Sequence, residues 1–148
     1  MITTRSFLAL VGLTLLGGSA AALLASSSVE ASEADEKAAV PVAEAWLKLV
    51  DGGDYGASWR EAASLFKNAV TEAKWKEAAG AARKPLGKVL SRRVKSTTFA
   101  KELPGAPDGS YVVIQFETSF ENKKSAIETI TPMLDKDGRW RVSGYFVK

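Results

Sequence analysis

At Gly87 the hydrophobic spacing of this 148-residue chain changes from about three and a half residues to two, and no other feature restricts the fold as much. A chain patterned in this order must lay helical stripes against one face of a sheet that follows them. Before the change, Ala39, Val42, Ala43, Trp46, Leu47 and Val50 fall on one stripe and predict a helix over 35–51, stopped by Gly52-Gly53. Ser32 to Lys37 reads as a polar spacer, with Ser32 as a cap and Asp35 three residues on. Ser58-Trp59-Arg60-Glu61 fits a capping box and opens a second helix over 59–69, with Ala62, Leu65, Phe66, Ala69 and Val70 on its apolar face. Thr71 caps a third helix carrying Trp75, Ala78, Ala79 and Ala82, which Pro85 and Gly87 end.

Past Gly87 the chain alternates. Strands are expected over 89–99, 111–120, 126–134 and 139–147, separated by the turn cluster 104–109, a hairpin turn at 122–124 and the tight hairpin Asp135-Lys136-Asp137-Gly138. In the second strand Val112, Ile114, Phe116 and Phe120 point one way and Tyr111, Gln115, Glu117 and Ser119 the other. The predicted fold class is α+β: three N-terminal helices packed on a curved four-stranded antiparallel sheet.

Residues 1–31 read as a leader. Arg5 is followed by FLALVGLTLLGGSAAALLA, Phe7 to Ala25, without a charge. Ala20/Ala22 and Val29/Ala31 both satisfy the small-residue rule for cleavage, so the processing point stays open, as does an uncleaved anchor. The expectation is a signal peptide over 1–31, one domain over 32–148, and a periplasmic or secreted location.

Cysteine and histidine are both absent. Disulfides, thiolate chemistry, Cys-ligated zinc, Ser-His-Asp machinery and most transition-metal sites are thereby excluded. No catalytic residue, metal site or cofactor is assigned. A formal charge of +3 and a pI near 9.2 are mildly basic, compatible with weak contact to an anionic surface and short of a nucleic-acid signature. Asp135, Asp137 and Gly138 open like a calcium loop, but Arg139 stands where an oxygen ligand belongs, so a hairpin is the reading.

The segments AWLKLVDGGDYGASWREAASLFK, Trp75 with RKPLG at 83–87, LPGAPDGSY and DGRWRVSGYFVK, in that order, resemble the uncharacterised bacterial domain-of-unknown-function family numbered 4019. The resemblance implies an exported protein. By analogy it implies a cystatin-like or nuclear-transport-factor-2-like cone, in which a bent sheet wraps around helices; it brings no activity and no site residues.

Three groups of residues are candidates for function. Tyr111, Gln115, Glu117, Glu128, Arg141 and Tyr145 share the polar parity of the sheet and would form an outer face suited to a protein partner or a homodimer, or an ordinary solvated face. In that reading Ile114, Phe116, Trp140, Val142 and Phe146 pack on the helices. Trp46, Tyr55, Trp59 and Trp75 would line an apolar cleft or simply fill the core. Arg83, Lys84, Lys88, Arg92, Arg93 and Lys95 place six cations within thirteen residues, enough to hold an anion or merely to complement a helix end. The leading expectation is a non-enzymatic binding or interaction module. Its alternatives are an enzyme using a carboxylate beside a tyrosine in an apolar pocket, with Glu117 or Glu128 facing inward, and a binder of anionic envelope surfaces.

Overall fold

A computed structural model describes residues 19–148. It shows an α+β fold whose described residues hold four α-helices: α1 (Ser19–Asp51), α2 (Tyr55–Arg60), α3 (Ser64–Ala69) and α4 (Glu72–Arg83). A 3-10 turn, Lys84–Leu86, leads into β1 (Val89–Ala100), β2 (Tyr111–Phe120), β3 (Lys123–Leu134) and β4 (Trp140–Val147). The strands form one antiparallel sheet in the order β1-β2-β3-β4, the simplest meander that hairpin connections allow.

The helical half departs from expectation in three places. Residues 32–37 lie inside α1, and the Ser32 hydroxyl donates back to the Val29 carbonyl at 2.8 Å instead of capping. The leader's residues before Ser19 fall outside the described part of the chain, and among the described residues no helix is long and apolar enough to cross a membrane.

The expected second helix is two. Asp54 caps α2 by accepting from the Ala57 N–H at 3.0 Å, so the helix begins at Tyr55, four residues before the predicted start at 59. The Ser58 hydroxyl donates to the Tyr55 carbonyl at 2.8 Å. The break at residues 61–63 has a tertiary cause. The Ala63 N–H leaves the helical ladder and donates to the Val142 carbonyl of β4 at 2.8 Å, and the Asp135 carboxylate accepts from the Ser64 N–H at 3.0 Å and its hydroxyl at 3.1 Å. A side chain from the β3–β4 hairpin thus supplies the cap that Ala63 cannot. Thr71 caps α4 as predicted, accepting from the Lys74 N–H at 3.3 Å.

In the sheet, β2 has its expected bounds and β4 begins one residue later than predicted. β3 begins earlier, at Lys123, because the hairpin turn occupies residues 121–122. The core is built by α1, α4 and the inner parity of β2 and β3. Ala39, Ala43, Trp46, Leu47 and Val50 pack against Val112, Ile114, Phe116 and Ile130, all buried.

The ladder of β3 on β4 slips by one residue: Thr131 faces Gly144, whereas Pro132 faces Val142. Ser143 is the extra residue, and its hydroxyl donates to the Thr131 carbonyl at 2.7 Å. Pro132 has no N–H to give a ladder, which is the usual reason a proline in an inner strand sits at a bulge. Trp140 and Val142 face inward before the slip, and Tyr145 faces inward after it. Phe146, expected on the helices, is left 59% exposed on the opposite side.

Candidate functional site

Among the described residues, no helix covers the outer parity of the sheet. It carries Gln115 and Glu117, as expected, with Val113, Ile127, Thr129 and Phe146 beside them. Tyr111 has the same parity but lies under the β1–β2 loop, 1% exposed, where its hydroxyl donates to the Pro107 carbonyl at 2.5 Å. Burial, with the charge of Asp108, raises its phenol above the ordinary value. Arg141, opposite Met133 in the ladder, forks onto both Asp137 oxygens at 2.7 Å and is thereby committed to its own hairpin.

Glu128 and Tyr145 do not belong to this face. The register pairs Glu128 with Phe116, on the inner side, and its side chain is fully buried. The slip at Ser143 brings Tyr145 to the same side. Six side chains from six elements converge there. Glu128 Oε1 accepts from Arg92 Nε at 2.8 Å and from the Thr118 hydroxyl at 2.6 Å. Its Oε2 accepts from the Tyr145 hydroxyl at 2.7 Å, with Arg83 Nη1 at 3.9 Å. Asp51, at the end of α1, accepts from Arg83 Nη2 at 2.7 Å and from both terminal nitrogens of Arg92 at 2.7 and 2.9 Å.

Two guanidinium groups therefore meet two carboxylates, and the formal charges cancel. Burial works to raise the Asp51 carboxyl, but hydrogen bonds and charge from Arg92 and Arg83 outweigh it and hold the group below the usual carboxylate range. Burial, reinforced by the Glu128 charge, pushes the Tyr145 phenol far above its ordinary value, so it stays protonated as a donor. Arg83 also lies over the Phe120 ring, 5.0 Å from its centre, and only its buried Nε lacks a partner.

The carboxylate beside a tyrosine that the enzyme alternative required is present. Its hydrogen-bonding capacity is spent on the network, and neither Glu128 nor Tyr145 lines any of the described grooves.

The aromatic group is core. The indoles of Trp46 and Trp75 donate to the Ser58 carbonyl and hydroxyl at 2.8 and 2.9 Å, and that of Trp59 to the Val70 carbonyl at 2.8 Å. Trp46 contacts the rings of Trp75 and Tyr145 at 5.7 and 5.5 Å between centroids. Among the described residues, Trp46 edges an apolar groove of about 500 Å3 with Val42, Leu49 and Trp140, while Tyr55 edges a different one.

The six cations separate. Arg83 and Arg92 enter the buried network, and Arg93 pairs with Glu117 on the outer face. Lys84 and Lys88 line a groove of about 490 Å3 beside Asp51 and Glu121. Lys95 lines another of about 540 Å3. Among the described residues no cluster of three or more acidic, His or Cys side chains could hold a metal ion. Asp135 and Asp137 are occupied with Ser64 and Arg141.

Sequence reasoning missed Asp51, Thr118, Ser64 and Asp135 as partners. Asp51 carried only the signal of an acid at a helix C-terminus, where the dipole disfavours it and a cation partner is expected.

A family model described as a protein of unknown function, DUF4019, matches residues 42–145. No curated protein and no solved structure matches the chain.

Proposed function

We propose that this chain, which belongs to the DUF4019 family, is an exported, non-enzymatic interaction module that pairs through the bare face of its sheet with a second copy of itself. The observation that carries the reading is the exposure of Phe146, 59% open on a face flanked by Ile127, Thr129 and Val113. A bulge that turns a phenylalanine out of the core favours the folded monomer poorly, and covering the ring on association recovers that burial.

The self-pairing follows from charge and area. The middle of the patch is uncharged, so it offers little to steer a charged partner, while an isologous pair needs only self-complementarity. Four strands about 4.8 Å apart and roughly 25 Å long present ~500 Å2 per copy, hence ~1,000 Å2 for a pair, at the lower bound of specific interfaces. The expected dimer is accordingly weak. The satisfied state of the Glu128–Tyr145 pair supports a structural role for it over acid–base work.

Helices on one side of a sheet with bulges in each ladder support reading the fold as a cystatin-like or nuclear-transport-factor-2-like cone. The uncharged run Phe7 to Ala25 supports export.

Sedimentation velocity over a concentration series tests the pairing. Reversible dimerisation that Phe146→Asp with Ile127→Asp abolishes is expected; a monomer at every concentration, or a dimer indifferent to these changes, ends it. N-terminal sequencing of protein recovered outside the cytoplasm is expected to begin after Ala22 or Ala31, and recovery only from the cytoplasm would overturn the export reading.

A further inference from the structure

Toward the β2–β3 hairpin the outer face changes character. Ser91 lies opposite Ser119 in the ladder, and Ser125 of β3 borders the same place, so three small hydroxyl side chains cross three strands. They lie in a furrow of about 540 Å3, whose walls include Lys95 and Lys124. Among the described residues, no hydrogen bond ties these three hydroxyls to the rest of the protein, and neither lysine is in an ion pair. The furrow therefore presents free donors and two uncompensated ammonium groups. Its single carboxylate, Glu117, is taken by Arg93.

We propose that this furrow is a binding site for a phosphate ester, a ligand class beyond the self-pairing; it lies at the hairpin end of the same outer face and shares Ile127 with the pairing patch. The choice of phosphate over carboxylate rests on what remains free. A planar carboxylate is best matched by the fork of an arginine, and the Arg93 guanidinium is already paired with Glu117. What is left is two point charges and a row of hydroxyl donors, which suit a tetrahedral oxyanion that accepts hydrogen bonds from several directions. Outer serines of neighbouring antiparallel strands sit about 5 Å apart, within reach of the oxygens of one phosphate group. The furrow has room for the organic part of the ester as well.

The groove beside Lys84 and Lys88 is the weaker candidate, since its walls carry two carboxylates, Asp51 and Glu121, where the furrow carries one. It serves as the control. A soluble ester and a lipid headgroup share this chemistry, so two probes separate them: glycerol 3-phosphate followed by amide-shift titration, and flotation with vesicles of phosphatidylglycerol and phosphatidylcholine in equal parts.

Saturable shifts at Ser91, Ser119 and Ser125 with glycerol 3-phosphate assign a soluble ester; vesicle binding that the same residues control assigns a headgroup. Lys95→Glu with Lys124→Glu is expected to weaken binding of the effective probe by at least about tenfold, equivalent to about 1.4 kcal/mol. Ser119→Leu, which fills the floor and leaves the charge intact, is expected to do the same, while Lys84→Glu with Lys88→Glu leaves binding unchanged. Unaltered circular dichroism confirms that the variants fold. Absence of saturable binding to both probes, or equal losses in the Lys84/Lys88 variant, overturns the site. A strictly monomeric protein that passes these tests keeps the furrow and loses only the self-pairing.

Discussion

The Tyr145 hydroxyl donates to Glu128 at 2.7 Å between neighbouring strands, and it can reach that carboxylate only because Ser143 is an extra residue in the β4 ladder. Tyr145→Phe removes the donor and leaves Glu128 Oε2 with Arg83 alone, at 3.9 Å. At neutral pH the expected loss is about 1–2 kcal/mol.

The pH dependence carries a second signature. Burial and the Glu128 charge raise the folded phenol's pKa above the unfolded value of about 10. The neutral phenol therefore adds stability that is fully present below about pH 10 and is lost as pH rises through the folded value. Tyr145→Phe should lack this alkaline decline. Urea titrations from neutral pH upward, comparing the slope of stability with pH in the two proteins, check it.

Glu128→Gln keeps the shape and the contact with Thr118 but sets two guanidinium groups against one carboxylate. An uncompensated buried charge costs about 3–5 kcal/mol, and this variant should approach that range. Adding Arg92→Met removes the excess charge and should recover part of the loss. Chemical denaturation of the single and double variants measures both effects.

Asp135→Ala takes away the cap of α3 and the contact with Arg141 together, for an expected cost of about 1–2 kcal/mol by thermal denaturation. The backbone N–H of Ser64 is the main cause holding the Asp135 carboxyl below its ordinary value. Its contribution is therefore present above the unfolded pKa of about 3.9 and disappears as pH falls through the folded value. The variant's stability should fall less steeply than that of the parent below about pH 4.

Gly87 has φ +76°, and a Cβ there would meet Glu121 Oε2 at 2.7 Å and its Cβ at 3.0 Å. Glu121 is the residue whose carboxylate accepts from the Lys88 N–H at 2.9 Å. Gly87→Ala should cost about 1–3 kcal/mol through positive-φ backbone strain alone, more with the clash, as read from the melting temperature.

The order of helices before strands and the bounds of β2 were legible because residues 111–120 alternate cleanly and Thr71, Pro85 and Gly87 mark boundaries by local chemistry. The faces of β3 were not. Ala126, Glu128 and Ile130 alternate with Ile127, Thr129 and Thr131, two sets of similar polarity, so periodicity alone cannot say which goes inward.

The slip in β4 did leave a mark: Gly144 inside a strand and Pro132 in its neighbour are both signatures of a bulge. Reading them would have turned Tyr145 inward and Phe146 outward. The division of α2 from α3 had no local signal, since what breaks the helix is a carbonyl and a carboxylate 79 and 71 residues away, Val142 to Ala63 and Asp135 to Ser64.

The ion network also orders events during synthesis. Arg83 and Arg92 emerge long before Glu128, and α3 lacks its cap until Asp135 appears. A nascent chain halted short of β3 would hold an unsealed core and one carboxylate for two guanidinium groups, so the helical half cannot settle ahead of the sheet. Such a polypeptide remains loose, and accessible to chaperones or to a narrow translocating pore, until almost all of it has been made.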